Sequence, residues 1–244
     1  MKLSAPIHKL SAPIYRLKRQ ARLLSREKNI PIHKTLDQIA ADEGFVSWSQ
    51  LAARFSEQEP AKILINELKP GDLVLLAGRP GQGKTLLGLE LALEAIKTGN
   101  RAAFFSLEYN TSDISKLIAG VCNDSDRLSG QIDFDTSDDI CADYVTYQLA
   151  TAHQGTVVVI DYLQLLDQKR ANSDLEDQVQ SLKFFAEDRG LTIIILSQIH
   201  RDFETTDRAI PDLSDVRLPN PLDLSLFNKA CFVNDGFVHF AATS

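Results

Sequence analysis

The sequence has few cysteines, no histidine cluster and no long apolar run, and each absence excludes a class of protein. Its three cysteines are scattered without C-x-x-C spacing, which is typical of reduced structural thiols in a cytoplasmic protein. The five histidines have no ligand spacing, so we expect no zinc site. No apolar run could span a bilayer, and the N-terminus lacks the apolar core of a signal peptide. We therefore predict a cytoplasmic protein without a membrane partner.

The charge of the chain is unevenly distributed, although its overall composition is ordinary. Of its 244 residues, 44% are hydrophobic and 24% are charged, which suits one substantial core with a small appendage. Residues 1–34 contain nine Lys or Arg and one acid, a net charge of +8. The remainder contains 17 bases and 32 acids, a net charge of −15. A basic arm on an acidic body indicates an anionic partner at the N-terminus.

The first 59 residues are predicted to form this basic arm and a small helical unit. A helix over 15–28 has Leu17, Ala21 and Leu24 at helical spacing. Helices are also expected over 34–42 and over 47–55, the latter capped by Ser47, before a linker at 57–60. The opposite face of the first helix presents three arginines that we predict to contact DNA phosphates: Arg19, Arg22 and Arg26. A merely solvated face, or a docking surface for the acidic body of another subunit, is the alternative.

Residues 60–244 alternate between strand and helix patterns, which predicts an α/β fold with a mostly parallel, twisted sheet covered by helices on both faces. Continuous apolar strands are expected at 73–77, 102–106, 156–160 and 191–196, with an amphipathic helix that includes Leu175, Val179 and Leu182. The acidic segment 123–143 is expected to be a surface excursion, and 202–222 a mobile loop. Residues 230–233 and 237–240 are expected to pair as a terminal hairpin.

One glycine-rich stretch predicts a phosphate-binding loop (P-loop), because it satisfies G-x-x-x-x-G-K-[ST] between an apolar strand and a helix. Its glycines allow the tight turn that points backbone N–H groups at a phosphate. Lys84 is expected to reach the β- and γ-phosphates of ATP, and the Thr85 hydroxyl to ligate Mg²⁺. The predicted nucleotide-binding residues are Gly78, Arg79, Pro80, Gly81, Gln82, Gly83, Lys84, Thr85 and Leu86.

Three polar residues lie at the ends of predicted strands, and parallel sheets bind their ligands at these carboxyl ends. Asp161 follows four apolar residues, as does the carboxylate that holds magnesium in the second nucleotide-binding motif. Glu108 is placed to orient and deprotonate the attacking water, although a capping or solvated acid is the alternative. Gln198 is expected to sense the γ-phosphate, with a simple hydrogen-bonding cap as its alternative.

These motifs resemble the RecA-like motor domain of DnaB-type replicative helicases. The resemblance includes the P-loop, the Phe-Phe-Ser-Leu-Glu that ends at Glu108, the Ile-Asp-Tyr-Leu-Gln-Leu that begins at Ile160, and two further blocks. Those blocks are residues 196–201 and 213–217, and all five follow the order of the family. The resemblance implies an ATP- and Mg²⁺-dependent RecA-like P-loop NTPase, with Glu108 as catalytic base, Asp161 at the magnesium and Gln198 as relay. Arg201 and Arg217 stand where the family has arginines, as possible phosphate sensors.

The sequence also departs from that family, which keeps several functions open. The family ends with a K-x-R-x-G segment that reaches a neighbouring nucleotide, whereas residues 228–244 contain only Lys229. The large helical N-terminal domain of these helicases is also missing from the expected organisation. We therefore expect a slow ATPase that acts on DNA, helicase-like, in which a homo-oligomer remains possible. A KaiC-like switch that controls a protein partner and a degenerate ATP-binding module are the alternatives.

Overall fold

The computed structural model describes residues 10–12, 14–51, 60–109, 113, 117, 131–166, 172–206, 208, 210–218, 220–234 and 237–241. The chain divides into two compact units, Met1–Glu59 and Pro60–Ser244. Its α-helices with both ends among the described residues are α1 (Ile14–Lys28), α2 (Ile32–Asp42), α3 (Pro60–Glu67), α4 (Lys84–Lys97), α5 (Ala142–Gln148) and α6 (Leu175–Arg189). Its strands are β1 (Leu73–Gly78), β2 (Ala102–Ser106), β3 (Ile132–Asp135), β4 (Val157–Asp161), β5 (Thr192–Gln198), β6 (Lys229–Asn234) and β7 (Phe237–Ala241).

The first unit contains the helices α1 and α2. The apolar stripe of α1 packs Leu17 and Ala21 against Ile39 of α2. A further helix begins at residue 48, and the Ser47 hydroxyl accepts a hydrogen bond from the Gln50 N–H at 3.2 Å, as a helix cap does. The predicted end of this helix and residues 57–59 of the predicted linker lie outside the described residues, whereas Pro60, the last residue of that linker, begins α3. The stripe therefore fixes which face of α1 is turned inward.

The second unit is built on one seven-stranded sheet with the order β3-β2-β4-β5-β1-β6-β7. Every neighbouring pair is parallel except β6 and β7, which form the predicted antiparallel hairpin. The four central strands β1, β2, β4 and β5 are buried along their whole length or up to the last residue. Their apolar runs are continuous because both faces of such a sheet are covered.

Helices cover both faces of this sheet, in agreement with the predicted fold class. On one face, α3 and α4 pack over strand residues that include Leu76, Val159 and Leu196. On the other face, α5 and α6 pack over the alternate residues, such as Leu75 and Ile195. Successive strand residues point to opposite faces, so each strand contributes to both cores. This arrangement places the carboxyl ends of β1, β2, β4 and β5 along one edge.

One sequence expectation in this unit is wrong about an edge strand. Within the segment expected to be a surface excursion, residues 132–135 form β3, which pairs with β2 and buries Ile132. Acidic residues obscured this strand, because Asp133 and Asp135 alternate with its apolar residues. The two strands predicted at 156–160 and 191–196 are present, with their bounds shifted by one or two residues.

The segment expected to be a mobile loop, 202–222, is joined to the end of β5 by two backbone hydrogen bonds. The backbone N–H of His200 donates to Asp215 O at 2.7 Å, and the N–H of Arg217 donates to Gln198 O at 2.8 Å. Between them, Arg208 donates to Asp212 and Asp215, each at 2.6 Å, and stacks over the Phe203 ring. Short 3₁₀ turns occupy Arg201–Thr205 and Leu213–Asp215. The many Asp residues serve as caps and ion-pair partners here, which composition alone does not reveal.

Among the described residues, no helix is both long enough and apolar enough to cross a membrane.

Candidate functional site

The P-loop connects the end of β1 to the start of α4, and its backbone has the shape that phosphate binding needs. Gly83 stands at the N-cap of α4 with φ +89°, a conformation that disfavours any residue with a side chain. At Gly78, an added Cβ would lie 2.6 Å from Val233 O on the neighbouring strand. The glycines are therefore required by the turn and by the packing of β1 against β6. The first N–H groups of a helix have no partner within it, so those of α4 are suited to an anion in the loop.

Lys84 begins α4 and extends back over the P-loop. Its Nζ donates a hydrogen bond to Arg79 O at 3.1 Å. Burial lowers the pKa of Lys84, although the nearby charges of Asp161 and Glu108 act to raise it. These interactions place one cation and two carboxylates in a common site. A partly desolvated ammonium group of this kind gains most from an anionic ligand such as a phosphate.

Thr85 and Asp161 form the second pair of the site. The Thr85 hydroxyl donates a hydrogen bond to Asp161 Oδ2 at 2.9 Å, between α4 and the end of β4. Asp161 is only 2% exposed, and burial raises its pKa to about 7. Its hydrogen bond from Thr85 lowers that pKa, while the charge of Glu108 raises it further. A cation at this position would remove the cost of holding a buried carboxylate in its ionised form.

The donor set fits a magnesium ion that is shared with a nucleotide. No cluster of three or more His, Cys, Asp or Glu that could hold a metal occurs among the described residues. Mg²⁺ bound with phosphates needs only one or two protein oxygens, and takes its remaining ligands from phosphate and water. The Thr85 hydroxyl and the Asp161 carboxylate can supply those oxygens. When bound, the metal would neutralise phosphate charge during transfer.

Glu108 lies two residues beyond β2 with an exposed side chain. Its backbone N–H donates to the Ser106 hydroxyl at 3.1 Å, which fixes the turn that follows the strand. Ser106 pairs with Asp161 across the parallel ladder, so the turn begins beside the end of β4. The charge of Glu108 acts on Lys84, Asp161 and Tyr162. The structure therefore brings Glu108 to the same strand ends as the P-loop residues.

Gln198 ends β5 directly beside the first glycine of the P-loop, because Gly78 and Gln198 are partners in the β1–β5 ladder. Its carbonyl oxygen accepts the N–H of Arg217, whose own carbonyl accepts a hydrogen bond from Gln164 Nε2 at 2.8 Å. Arg217 is thus held by its backbone between the ends of β4 and β5, and its charge acts on Tyr162. Arg201 is exposed on the first turn after β5.

Arg79 has a different environment from the one that its place in the motif suggests. Its Nε donates to Glu204 Oε1 at 2.7 Å, and its Nη1 donates to Ile199 O at 3.3 Å. The guanidinium group is therefore engaged with the segment after β5, and its charge acts to lower the pKa of Lys84. Pro80 and Gly81 are exposed at the tip of the loop, whereas Gln82 and Leu86 are partly buried.

The arginines predicted to contact DNA belong to the first unit. Arg22 and Arg26 are exposed on α1, on the face opposite Leu17 and Ala21. The side chain of Arg19 lies outside the described residues. The exposed arginines carry their charge into solvent, where an anionic partner can reach it.

The raised pKa of Asp161 predicts that an Asp161→Asn variant is more stable than the wild type at alkaline pH. Between about pH 4 and pH 7 the folded protein binds a proton that the unfolded chain does not, so the free energy of unfolding falls as pH rises. The variant cannot ionise, so without nucleotide or metal it should gain about 1–3 kcal/mol at pH 8 and almost nothing at pH 4. Urea unfolding at both pH values measures this difference.

Asp133→Asn is the matched control for that variant, because Asp133 is an exposed carboxylate on the edge strand β3. It should follow the pH dependence of the wild type. Equal stabilities of wild type and Asp161→Asn at pH 8 would contradict the conclusion that the buried carboxylate destabilises the nucleotide-free protein.

Three residues with contacts in the site were missed by sequence reasoning: Tyr109, Gln164 and Glu204. Tyr109 contacts Thr85, Gln164 holds Arg217, and Glu204 holds Arg79. Gln164 belongs to one of the motif blocks, and Tyr109 directly follows another. This position in the sequence was the only available signal. Glu204 had none, because its partner is 125 positions away along the chain.

Comparison with known proteins places this geometry in a family. Residues 60–129 and 134–220 match the family model of the DnaB-like helicase C-terminal domain. The chain is 30% identical over 207 residues to the replicative DNA helicase DnaB of Synechocystis sp., covering 72% of this chain and 23% of that protein. It is 27% identical over 178 residues to DnaB of Helicobacter pylori, with 60% and 36% covered. The chain thus spans about a quarter to a third of the length of these curated relatives.

Solved structures agree with this fold. A solved ATPase domain matches with a TM-score of 0.56 and 22% identity, covering 75% of this chain and 81% of that one. A DnaB-like replicative helicase, described together with its interactions with primase, also matches with a TM-score of 0.56 and 22% identity. That match covers 90% of this chain and 66% of the other. Together with the family model, which covers more than half of the sequence, these findings show that the chain belongs to the DnaB-like helicase C-terminal domain family.

Proposed function

We propose that this protein is a magnesium-dependent ATPase of the DnaB-like, RecA-like class that acts on DNA. The observation that supports it most is the convergence of Lys84, Thr85, Glu108 and Asp161 at the carboxyl ends of three parallel strands of one sheet, β1, β2 and β4. That position is where open α/β sheets bind their ligands. The family membership supports the same reaction class, and the relatives named above are replicative DNA helicases.

Each residue has a distinct role in this proposal. The P-loop backbone and Lys84 bind the β- and γ-phosphates, while Thr85 and Asp161 hold Mg²⁺. Glu108 orients the attacking water and accepts its proton, for which an exposed carboxylate beside the phosphate site is suited. Gln198, next to Gly78, senses the γ-phosphate and passes its state to Arg217 through the hydrogen bond of their backbones.

Turnover is proposed to be slow, because the terminal hairpin offers no arginine. Its one basic residue, Lys229, donates hydrogen bonds to Asp72 Oδ2 and Glu67 O, each at 2.5 Å. Arg208 is engaged by Asp212 and Asp215. In a homo-oligomer, which is part of this proposal, the exposed Arg201 and Arg217 of a neighbouring subunit are the candidates for an arginine that reaches the nucleotide.

The convergence of Lys84, Thr85, Glu108 and Asp161 also supports a second candidate function. This alternative is a KaiC-like switch that hydrolyses ATP slowly and controls a protein partner. In that case nucleic acid would not change the rate of hydrolysis. The two functions share the nucleotide site and differ in which partner, DNA or a protein, responds to the bound nucleotide. The presence of DNA is therefore the variable that separates them.

We expect single-stranded DNA to stimulate ATP hydrolysis by the full-length chain. Phosphate release is measured with and without DNA, and the Lys84→Ala protein provides the blank rate. Because DNA that binds the ATP-competent state must stabilise that state, the apparent affinity for ATP should rise as well. A rate and an affinity that are both unchanged by single- or double-stranded DNA would contradict the DNA function and favour the switch.

A separate titration of the protein with DNA at several salt concentrations tests the basic arm. Replacing both Arg22 and Arg26 by Gln should reduce the slope of log affinity for DNA against log salt by about 1.4–1.8, if each arginine neutralises one phosphate. The matched control removes two exposed charges from the second unit, Lys62→Gln with Arg101→Gln, and should leave the slope unchanged. An equal slope in all three proteins would mean that the face of α1 with Arg22 and Arg26 does not contact DNA.

A further inference from the structure

Gln164 lies in the short 3₁₀ turn that follows β4, and its side chain joins that turn to the segment after β5. The turn begins at Leu163, two residues after Asp161. Leu163 and Leu166 are fully buried, and Leu166 O accepts a hydrogen bond from Gln178 Nε2 on α6 at 2.6 Å. These contacts attach the turn to the core, so the position of Gln164 is fixed relative to Asp161.

The side-chain amide of Gln164 uses only one of its two polar atoms. Its Nε2 donates a hydrogen bond to Arg217 O at 2.8 Å, whereas its Oε1 is buried and has no donor among the described residues. A buried acceptor without a partner costs about as much free energy as one neutral hydrogen bond contributes. The glutamine therefore adds little to the stability of the fold, and its contact with Arg217 is the feature that needs an explanation.

Arg217 is held by its main chain at two strand ends. Its N–H donates to Gln198 O at 2.8 Å, and Val216 before it forms an antiparallel bridge with Ile199. Its carbonyl oxygen is the group that accepts the hydrogen bond from Gln164. The main chain of Arg217 is thus bonded both to the end of β5 and to the turn after β4. Its side chain is exposed, so an anionic partner can reach the positive charge.

We infer that Gln164 is a positioning residue, which holds Arg217 beside the carboxyl ends of β4 and β5 so that its guanidinium group can bind a phosphate of a partner. This role rests on the proposed function, because it takes Asp161 and Gln198, at those two strand ends, as the residues that respond to the nucleotide. The phosphate belongs either to DNA or to the nucleotide of a neighbouring copy of the chain. Both present the same chemistry to a guanidinium group, namely charge-assisted and bidentate hydrogen bonds.

A Gln164→Met variant separates this role from a structural one. Methionine fills a similar volume without an amide, so the variant loses the bond to Arg217 O and the unpaired acceptor together. The urea midpoint of unfolding should therefore stay unchanged or rise. The matched control is Gln148→Met at the exposed end of α5, which removes a hydrogen bond of the same length, from Gln148 Nε2 to the Tyr144 hydroxyl at 2.8 Å.

The test combines Gln164→Met with Arg217→Gln in the full-length chain, as single variants and together. One arm measures affinity for single-stranded DNA with a non-hydrolysable ATP analogue bound, and the other measures the ATPase rate per subunit as protein concentration rises. In the arm that contains the phosphate partner, Arg217→Gln should cause a loss of about 10-fold or more and Gln164→Met a loss of about 3- to 10-fold. Gln164→Met should add nothing to Arg217→Gln, because it acts through the arginine. Gln148→Met should match the wild type.

Every outcome of this test bears on the role of Gln164. A non-additive loss in the DNA arm assigns the phosphate to nucleic acid, one in the protein-concentration arm assigns it to a neighbouring copy, and both support the positioning role. If the two losses add, if Arg217→Gln alone has no effect, or if Gln164→Met also lowers the urea midpoint, Gln164 does not act by positioning Arg217. Wild-type behaviour of Gln164→Met in both arms overturns the role and leaves the proposed function intact. A wild type that neither hydrolyses ATP nor binds DNA overturns the proposed function and the role together.

Discussion

Replacing Lys84 with alanine should nearly abolish ATP binding while leaving the fold intact. The ammonium group lies over the P-loop, where a phosphate would receive a charge-assisted hydrogen bond from a partly desolvated donor. Losing such a contact should weaken binding by about 2–4 kcal/mol, a factor of roughly 30 to 1,000 in affinity. Calorimetric titration of the variant with Mg²⁺-ATP measures the loss directly.

The fold should survive this substitution because burial of the Lys84 ammonium group costs free energy in the nucleotide-free protein. Burial lowers the pKa of its ammonium group, so alanine removes a partly desolvated charge rather than a core contact. Lys97→Ala, at the other end of α4, is the control, since it breaks an ion pair with Glu94 at the surface. Thermal unfolding of both variants verifies the fold. Normal ATP binding by Lys84→Ala would show that the P-loop does not cradle phosphate.

Replacing Glu108 with glutamine should separate binding from hydrolysis. The side chain keeps its size and its place after β2, but it can no longer accept a proton from water. We expect turnover to fall by about 10²–10⁴, the usual contribution of a general base, while ATP binding is retained. Removing the charge also removes one of the interactions that raise the pKa of Asp161. The Asp161 carboxyl group should therefore ionise at a lower pH in the variant.

Single-turnover phosphate release and calorimetry on the same protein sample measure the two effects. Glu187→Gln on α6 is the control, because it removes an equally exposed carboxylate elsewhere on the sheet unit. If Glu108→Gln hydrolyses ATP at the wild-type rate, Glu108 is a solvated acid that only caps the turn after Ser106. If binding and turnover fall together, its role lies in holding the nucleotide.

The predictions that succeeded rest on local patterns that have one physical meaning. The P-loop, the apolar strands and the amphipathic helix α6 were predictable because buried parallel strands require continuous apolar runs and helices require a 3.6-residue period. Strand β3 was missed because its two aspartates break such a run, and it is held in the sheet by hydrogen bonds to β2. Backbone pairing of this kind depends on a partner about 30 positions away, which no local window contains.

The segment after β5 shows the same limit at the site. Its composition favours a loop, yet backbone hydrogen bonds join Arg217 to Gln198 and His200 to Asp215, and Arg208 forms ion pairs within the segment. The fold decides whether an aspartate there caps a turn, pairs with an arginine or stays solvated, because its partner is chosen by distance in space. The environment of Arg79, engaged by Glu204, was hidden for the same reason.

By itself the sequence determined the fold class, the position of the phosphate-binding loop and the strand ends from which Glu108, Asp161 and Gln198 arise. These follow from hydrophobic periodicity and from glycine, whose conformational freedom is a local property. Only the tertiary structure decided which polar groups meet: Thr85 with Asp161, Tyr109 with Thr85, and Arg217 between Gln164 and Gln198. The raised pKa of Asp161 is likewise a property of its burial. The physical reason is that hydrogen bonds and charge interactions act over a few ångströms of space, and the sequence orders residues only along the chain.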